Sequence, residues 1–434
     1  MSHIDPSDNS NDPMTMRFRH LDVSPRLSRL LLSLVLALTA LWACSDSSGP
    51  SSNEPETMAA VEGVGLEAPA GTVLPEGPTV EVLNGSGDPV SGVIVTFQVL
   101  EGGGSLPVST RATNSQGRAR VTWILGRGAG STQRLQATAE GLSVEFQAVT
   151  TEAVPGESYR GRNGYTEYLP GSLPFVLSAG HGGDMEPTEI PDRSWGTMVT
   201  DLNTRELALQ IRDAIKTQTG SYPHIIISHL KRTKLDPNRE IVEAAQGAPE
   251  AERAWWEFQT FIDEARAIVE DTFGEGFYID LHGHGHDIQR LELGYLLSSG
   301  DLEHADEDLS SSIYINKSSL RHMGQKAGTD FAALIRGPLS LGTLLEEEGF
   351  SAVPSQSQPD PGGNPFFSGG YNTVAHGSRD GGTVSGVQIE CNFAGVRDLA
   401  ASRQAFAEGL GRALSIFFPA HFQMEFAPFS APVR

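Results

Sequence analysis

Three short segments of the chain carry side chains that could bind a metal ion and activate water. In chain order they read Ala179-Gly-His-Gly-Gly-Asp-Met-Glu186, Ile279-Asp-Leu-His-Gly-His-Gly-His286 and Gly386-Val-Gln-Ile-Glu390. Two imidazoles and one carboxylate leave one position of a zinc ion open for water, and a separate glutamate could take the proton of that water. These residue types therefore indicate a mononuclear zinc hydrolase.

Each of these segments follows an apolar stretch that predicts a β-strand, and helical patterns alternate with the strands. The apolar stretches are 175–179, 276–281 and 386–389. Open α/β folds bind their ligands at the carboxyl ends of the strands, where side chains far apart in sequence can meet. We therefore predict an α/β domain with a mixed central sheet over residues 160–420.

The preceding region, residues 59–151, alternates apolar and polar side chains with a period of two, which predicts short strands in a β-sandwich. Within it, Pro89-Val-Ser-Gly-Val-Ile-Val-Thr-Phe97 and Asn114-Ser-Gln-Gly-Arg-Ala-Arg-Val-Thr-Trp123 resemble the bacterial Ig-like modules of the invasin type. That resemblance implies a spacer or an adhesive repeat. A single copy favours the spacer.

The N-terminus has the pattern of an export signal. Arginines between Arg17 and Arg29 precede an unbroken apolar and small-residue run over 30–42, so residues 1–43 are predicted to be a signal peptide. Leu41-Trp-Ala-Cys44 resembles the bacterial lipobox, which implies lipidation of Cys44 and an exported, membrane-anchored lipoprotein. An ordinary secretory signal or an uncleaved anchor is the alternative. The Ser/Pro/Gly-rich stretch 44–58 predicts a flexible linker.

Charge and cysteine content exclude two classes of function or architecture. The 31 Lys and Arg residues against 54 Asp and Glu residues give a formal net charge of −23, which argues against a nucleic-acid partner. The chain has two cysteines, so a disulfide framework is not expected if Cys44 is lipidated. Cys391, at the end of an apolar strand, is predicted to be a buried structural thiol.

The first chemical segment resembles known zinc hydrolases. His181-Gly-Gly-Asp-Met-Glu-Pro-Thr188 resembles the His-Gly-Gly-x-x-Glu-Pro signature of phage poly-γ-glutamate hydrolases and, more loosely, the His-x-Gly segment of N-formylglutamate amidohydrolases. The resemblance implies an α/β fold of the zinc-peptidase type (phosphorylase/hydrolase-like), with His181 and Glu186 as zinc ligands. Asp184 competes with Glu186, because related carboxypeptidase-type sites use a His-x-x-Glu spacing.

The other two segments extend the same resemblance. Asp280-Leu-His-Gly283 resembles the segment that supplies the third ligand, which implies that His282 binds the metal. Gln388-Ile-Glu390 resembles the Gln-x-Glu segment whose glutamate is the general base, which implies that Glu390 is catalytic. Asp280 lies two residues before His282 and could orient an imidazole, as metal-bound histidines commonly require.

Four residues are predicted to face the substrate, namely Asn238, Arg239, His284 and His376. Leu235-Asp-Pro-Asn-Arg239 resembles the Asp-Leu-Asn-Arg segment of the amidohydrolases, and an arginine fork such as Arg239, with Asn238 beside it, suits a carboxylate; the alternative is a surface turn that starts a helix. His284 and His286 are either close to the substrate or solvated loop histidines. His376 follows a Gly-Gly-Tyr segment, at 369–371, that also resembles the amidohydrolases.

Together these patterns predict an exported Zn²⁺-dependent hydrolase that cleaves an amide bearing a free carboxylate. N-acyl amino acids, γ-glutamyl peptides and cell-wall peptides outside the membrane fit the predicted location. The alternative is a non-catalytic surface protein with an adhesive Ig-like module and a degenerate hydrolase scaffold. A serine hydrolase is disfavoured because the chain has no Gly-x-Ser-x-Gly elbow.

Overall fold

The computed structural model describes residues 53–327 and 330–427. The predicted signal peptide at 1–43, the lipidation site Cys44 and the first part of the predicted linker lie outside the described residues. None of the described helices is long and apolar enough to cross a membrane.

The first part of the described chain is a β-sandwich of a three-stranded and a five-stranded sheet. Their orders are β1-β3-β6 and β2-β8-β7-β4-β5. Inward side chains alternate with exposed ones along the strands, as in β4, where Val95 and Phe97 are buried and Thr96 is exposed. The strands are β1 Thr57–Glu62, β2 Leu66–Pro69, β3 Thr79–Leu83, β4 Ile94–Glu101, β5 Thr110–Ala112, β6 Arg118–Arg120, β7 Thr132–Ala139 and β8 Leu142–Thr151.

The second part is built on one eight-stranded mixed sheet, in the order β15-β14-β16-β13-β11-β12-β10-β9. Its four central strands, β16, β13, β11 and β12, run parallel, whereas β14 and β10 pair antiparallel to their inner neighbours. The strands are β9 Tyr159–Arg160, β10 Thr166–Leu169, β11 Phe175–Ala179, β12 His224–Ser228, β13 Gly276–Gly283, β14 Leu291–Gly294, β15 Ala352–Val353 and β16 Val384–Cys391.

Helices cover both faces of this sheet. They are α1 Thr204–Thr219, α2 Ile241–Ala245, α3 Pro249–Phe273, α4 Ser299–Leu302, α5 Asp306–Leu309, α6 Ser312–Lys317, α7 Arg321–Ala327, α8 Phe331–Arg336, α9 Leu341–Glu347, α10 Tyr371–His376 and α11 Ala400–Phe422. The helices α1 and α11 pack in one hydrophobic core with Ile279 and Leu281 of β13. The long helix α3 packs against the other face, in a core that contains Tyr278.

This layering decides which side chains reach the candidate site. Side chains alternate along a strand, so Asp280 and His282 lie on the same face of β13 as Tyr278, the face covered by α3. Gln388 and Glu390 pair with Asp280 and His282 in the parallel ladder of β13 and β16. The carboxyl ends of the central strands therefore carry a row of polar side chains on one face.

Candidate metal centre

Two histidines and one aspartate meet at the carboxyl ends of the central strands. His181 follows β11, His282 lies near the end of β13, and Asp201 lies in the loop before α1. One ligand atom from each lies within 4.8 Å of the others, and all three residues are buried. Imidazole nitrogen and carboxylate oxygen together are donors that suit Zn²⁺, so these residues could hold a metal ion.

The two imidazoles converge on one oxygen of Asp201. Its Oδ2 lies 3.3 Å from Nδ1 of His181 and 3.1 Å from Nδ1 of His282. The backbone N–H of Gly283 donates to the same oxygen at 3.2 Å. Both Nδ1 atoms therefore face a common point beside the carboxylate, which is the arrangement that a three-ligand metal site needs.

The far side of each imidazole contacts a second buried carboxylate. His181 donates through Nε2 to Oδ1 of Asp236 at 2.7 Å, and His282 donates through Nε2 to Oδ2 of Asp280 at 2.8 Å. A proton held on Nε2 leaves the Nδ1 lone pair available to a metal. This carboxylate–histidine pairing, present twice, is the observation that shows the residues fit a bound ion.

Further hydrogen bonds fix the orienting carboxylates. Asp280 accepts from the hydroxyl of Ser178 at 2.7 Å and from the amide of Asn372 at 3.3 Å. Asp236 accepts from Nε of Arg232 at 3.0 Å. The imidazoles are therefore held in place by groups whose own positions are determined.

The charges of the site favour ionised carboxylates and a protonated imidazole. Burial by itself raises the pKa of Asp201 and of Asp236. His181 and His282 together outweigh burial at Asp201, and His181 and the nearby arginines together outweigh it at Asp236, so each pKa is held below its usual value. Burial lowers the pKa of His282, but Asp280 and Asp201 outweigh it and raise that pKa well above the usual value. A metal ion bound here would displace a proton, so its binding is coupled to proton release.

Glu390 lies beside this centre in the neighbouring strand. It pairs with His282 in the ladder of β13 and β16, and only 6% of its surface is exposed. Gln388 donates through Nε2 to its Oε1 at 2.8 Å. Burial raises the pKa of Glu390 to about 7, with the carboxylates of Asp201 and Glu292 adding to the effect and His282 opposing it.

The structure does not bring Glu186 or Asp184 to the two histidines. The backbone of Met185 bridges to Leu230 in an extended pairing, and the Met185 side chain packs into the apolar cluster around Leu230. Side chains alternate along an extended segment, so the two acidic neighbours of Met185 point outward. Glu186 forms an ion pair with Lys231, and Asp184 forms one with Arg205. Among the described residues, Asp201 is the carboxylate that is grouped with His181 and His282.

The two residues predicted to bind a substrate carboxylate, Asn238 and Arg239, differ in their exposure. Asn238 is buried, with its Nδ2 3.2 Å from Nε2 of His282 and its Oδ1 accepting the backbone N–H of Asn372 at 2.8 Å. Arg239 is partly exposed and forms an ion pair with Glu243 at 3.3 Å. Asn238 therefore lies in the interior beside the His282 ring, whereas Arg239 reaches the surface.

His376 and His284, the two histidines predicted to face the substrate, are both buried. His376 contacts Gln259 through Nε2 at 2.5 Å and Asp263 through Nδ1 at 3.2 Å, so both of its nitrogens are engaged by α3. His284 donates through Nε2 to the carbonyl of Arg290 at 2.8 Å. The structure groups His284 with His286 and Glu292 and not with the first centre.

Sequence reasoning did not place Asp201 or Asp236 beside the two histidines. Asp201 lies three residues before α1, where an acidic side chain is common at the start of a helix, so its type and position carried no separate signal. Asp236 belongs to the Asp-Pro-Asn-Arg segment that was singled out. Its contact with a histidine 55 residues away has no local signature.

Comparison with known proteins gives weak structural similarities to a hydrolase and to an adhesin. An N-formylglutamate amidohydrolase from Ralstonia eutropha JMP134 is 11% identical, with a TM-score of 0.37, over 62% of this chain and 96% of that one. A gene product of Agrobacterium tumefaciens is 14% identical, with a TM-score of 0.33, over 58% and 95% of the two chains. An adhesin of Yersinia pseudotuberculosis is 16% identical, with a TM-score of 0.21, over 27% of this chain and 41% of the adhesin. No protein-family model and no curated protein matches the chain.

Proposed function

We propose that this chain is a zinc-dependent hydrolase that cleaves an amide bond, with His181, Asp201 and His282 as the metal ligands and Glu390 as the general base. The observation that carries the proposal is the paired arrangement of the two imidazoles. Each has its Nε2 on a buried aspartate and its Nδ1 on the shared Asp201. Asp201 replaces Glu186 as the third ligand in this proposal.

Zinc bound at these residues would polarise the amide carbonyl and lower the pKa of a water molecule. Glu390 takes a proton from the attacking water as the oxygen–carbon bond forms. It returns that proton to the amine nitrogen as the carbon–nitrogen bond breaks, so the products are a carboxylic acid and an amine. The Gln388 hydrogen bond to Oε1 supports this role, because it fixes one oxygen of Glu390 and leaves the other for the proton.

The substrate class in this proposal is an amide that carries a free carboxylate. Arg239 is partly exposed and close to Asn238, and its guanidinium can form bidentate hydrogen bonds with a carboxylate. N-acyl amino acids, γ-glutamyl peptides and cell-wall peptides all offer that group. Export and lipid anchoring through Cys44 remain proposals from the sequence, and they favour a substrate outside the cytoplasm.

The proposal is tested by measuring bound metal and amide hydrolysis on the same purified, untagged chains. We expect Glu390→Gln to keep its zinc and to lose hydrolysis by a factor of about 10² to 10⁴, because it removes proton transfer and leaves the ligands intact. Full activity in that variant would refute the assignment of the base.

A matched pair of acidic variants tests the ligand set. Asp201→Asn is expected to lose the metal, whereas Glu186→Gln is expected to keep it, because Glu186 is paired with Lys231 at the surface. The reverse result would restore Glu186 as the ligand. A wild-type chain with neither metal nor amidase activity would favour the non-catalytic surface protein.

A further inference from the structure

A second group of potential metal ligands lies where the chain passes from β13 to β14. His284 and His286 follow β13, and Glu292 lies in β14, so the loop between the two strands brings the three residues together. One ligand atom from each lies within 4.8 Å of the others. This group shares no residue with the site of the proposed hydrolysis.

The orientation of His284 is set by a backbone carbonyl. Its Nε2 lies 2.8 Å from the carbonyl oxygen of Arg290, and a carbonyl can only accept, so the proton is on Nε2. The lone pair of Nδ1 is therefore directed into the loop, where it accepts the N–H of His286 at 3.1 Å. A carbonyl contact on one ring nitrogen is a common way of orienting a metal-binding histidine.

The carboxylate of Glu292 is oriented in the same manner. Its Oε2 accepts the backbone N–H of Phe367 at 2.8 Å, which turns Oε1 toward Nδ1 of His286 at 2.8 Å. The ring of Phe367 stacks on His286, with centroids 4.8 Å apart and an interplanar angle of 8°. Both members of this pair are thus held by groups that do not belong to the cluster.

The negative charge of the buried Glu292 carboxylate also favours a bound cation. Glu292 is 1% exposed, and within the described ranges its ion-pair partner is His286, with no lysine or arginine at that distance. Glu292 pairs directly with Glu390 in the ladder of β14 and β16, so two buried carboxyl groups are neighbours. A buried carboxylate is costly unless a positive charge or a metal ion compensates it.

We propose that His284, His286 and Glu292 form a second binding site for a divalent transition-metal ion, separate from the ion held by His181, Asp201 and His282. Two imidazoles and one carboxylate favour Zn²⁺, Co²⁺ or Ni²⁺ over Mg²⁺ or Ca²⁺, which prefer oxygen ligands. Bound there, the ion replaces the hydrogen bond between the His286 N–H and Nδ1 of His284. The ion compensates the charge of Glu292 next to the general base of the proposed reaction.

The test is the metal content of the full, untagged chain after equilibration with Zn²⁺ and removal of free metal. We expect two ions per wild-type chain and one in His286→Ala, since one site loses a ligand while the other is untouched. His286 is partly exposed, so its truncation leaves the core intact, and Glu292→Gln serves as the second variant. His322→Ala is the matched control, because it removes another His–Glu pair that already includes Lys326.

The possible outcomes distinguish this site from the first. A single ion in the wild type that persists in His286→Ala would overturn the proposal, and so would an equal loss in His322→Ala. If Asp201→Asn binds as much zinc as the wild type while His286→Ala loses one ion, the second site stands and the proposed catalytic centre fails. Absorption spectra of the Co²⁺-substituted chains provide a readout that does not depend on activity.

Discussion

Asp236 and Asp280 make equivalent contacts. Asp236 accepts the Nε2 proton of His181, and Asp280 accepts that of His282. We expect Asp280→Asn to weaken zinc binding roughly 10- to 100-fold, since an amide can present its N–H to the imidazole and favour the wrong tautomer. A competition titration with a coloured chelator measures this affinity.

Asp263→Asn is the matched control for that variant. Asp263 also contacts a histidine nitrogen, Nδ1 of His376, at 3.2 Å, but His376 belongs to neither ligand group of the described residues. Zinc affinity should therefore be unchanged. Equal weakening in the two variants would mean that contact with the His282 imidazole is not the cause.

At the residue scale, sequence reasoning located three of the side chains that the structure brings together. His181, His282 and Glu390 each lie at the end of an apolar strand or just beyond it, and the sequence pattern alone indicates that context. The sequence pattern did not indicate the direction of the Glu186 side chain. Its direction depends on the extended pairing of Met185 with Leu230, a contact between segments 45 residues apart.

At the scale of elements, the strands were more predictable than their surroundings. The apolar stretch at 175–179 coincides with β11, and the stretch at 276–281 extends by two residues into β13. Those two residues matter, because they place His282 within the strand rather than in the loop after it. The short helices α4 to α9 had no clear periodic pattern, since helices of four to seven residues give too few turns to show one.

The turn after β11 depends on a glycine that permits a close backbone approach. A Cβ atom on Gly183 would lie 2.4 Å from the carbonyl oxygen of His229 and 2.5 Å from that of Leu230. We expect Gly183→Ala to lower the free energy of unfolding by about 1–3 kcal/mol, because backbone must move to admit the methyl group. The same movement shifts His181 and should weaken zinc binding.

Urea unfolding and the chelator titration together check this prediction. Gly300→Ala is the control, because nothing lies within 4 Å of a Cβ at that helical position, and alanine is the better helix former. A Gly183→Ala chain as stable as Gly300→Ala would show that the close approach does not constrain the turn.

At the scale of the whole molecule, the β-sandwich and the α/β part belong to one compact unit. Arg253 of α3 is buried, bonds to Glu257 at 3.1 Å, and donates to the carbonyl of Leu74 at 2.5 Å. Six residues along the same helix, Gln259 donates to the carbonyl of Pro237, next to Asp236. The sandwich therefore packs on the helix that supports the candidate site, which a spacer alone would not require.

We expect Glu264 to make this contact between the two parts sensitive to pH. The Glu264 side chain packs against Gly71 of the sandwich, since its Oε2 lies 2.3 Å from where a Cβ of Gly71 would stand. Burial raises the pKa of Glu264 to about 7. Arg127 opposes this shift, and the neighbouring Asp271 and Asp263 add to it. A raised pKa means that the folded chain binds this proton more tightly than the unfolded chain does. Stability from this group is therefore full below the unfolded pKa of about 4.5 and is lost as pH rises toward and past 7.

The expected consequence is a chain whose free energy of unfolding falls between pH 5 and pH 8, by up to about 3 kcal/mol from this one group. Glu264→Gln removes the titration, so its unfolding free energy should decline less over that interval and exceed that of the wild type at pH 8. Glu252→Gln, on the same helix, is the control and should keep the wild-type slope. Parallel slopes for Glu264→Gln and the wild type in urea titrations at several pH values would mean that Glu264 does not carry the pH dependence.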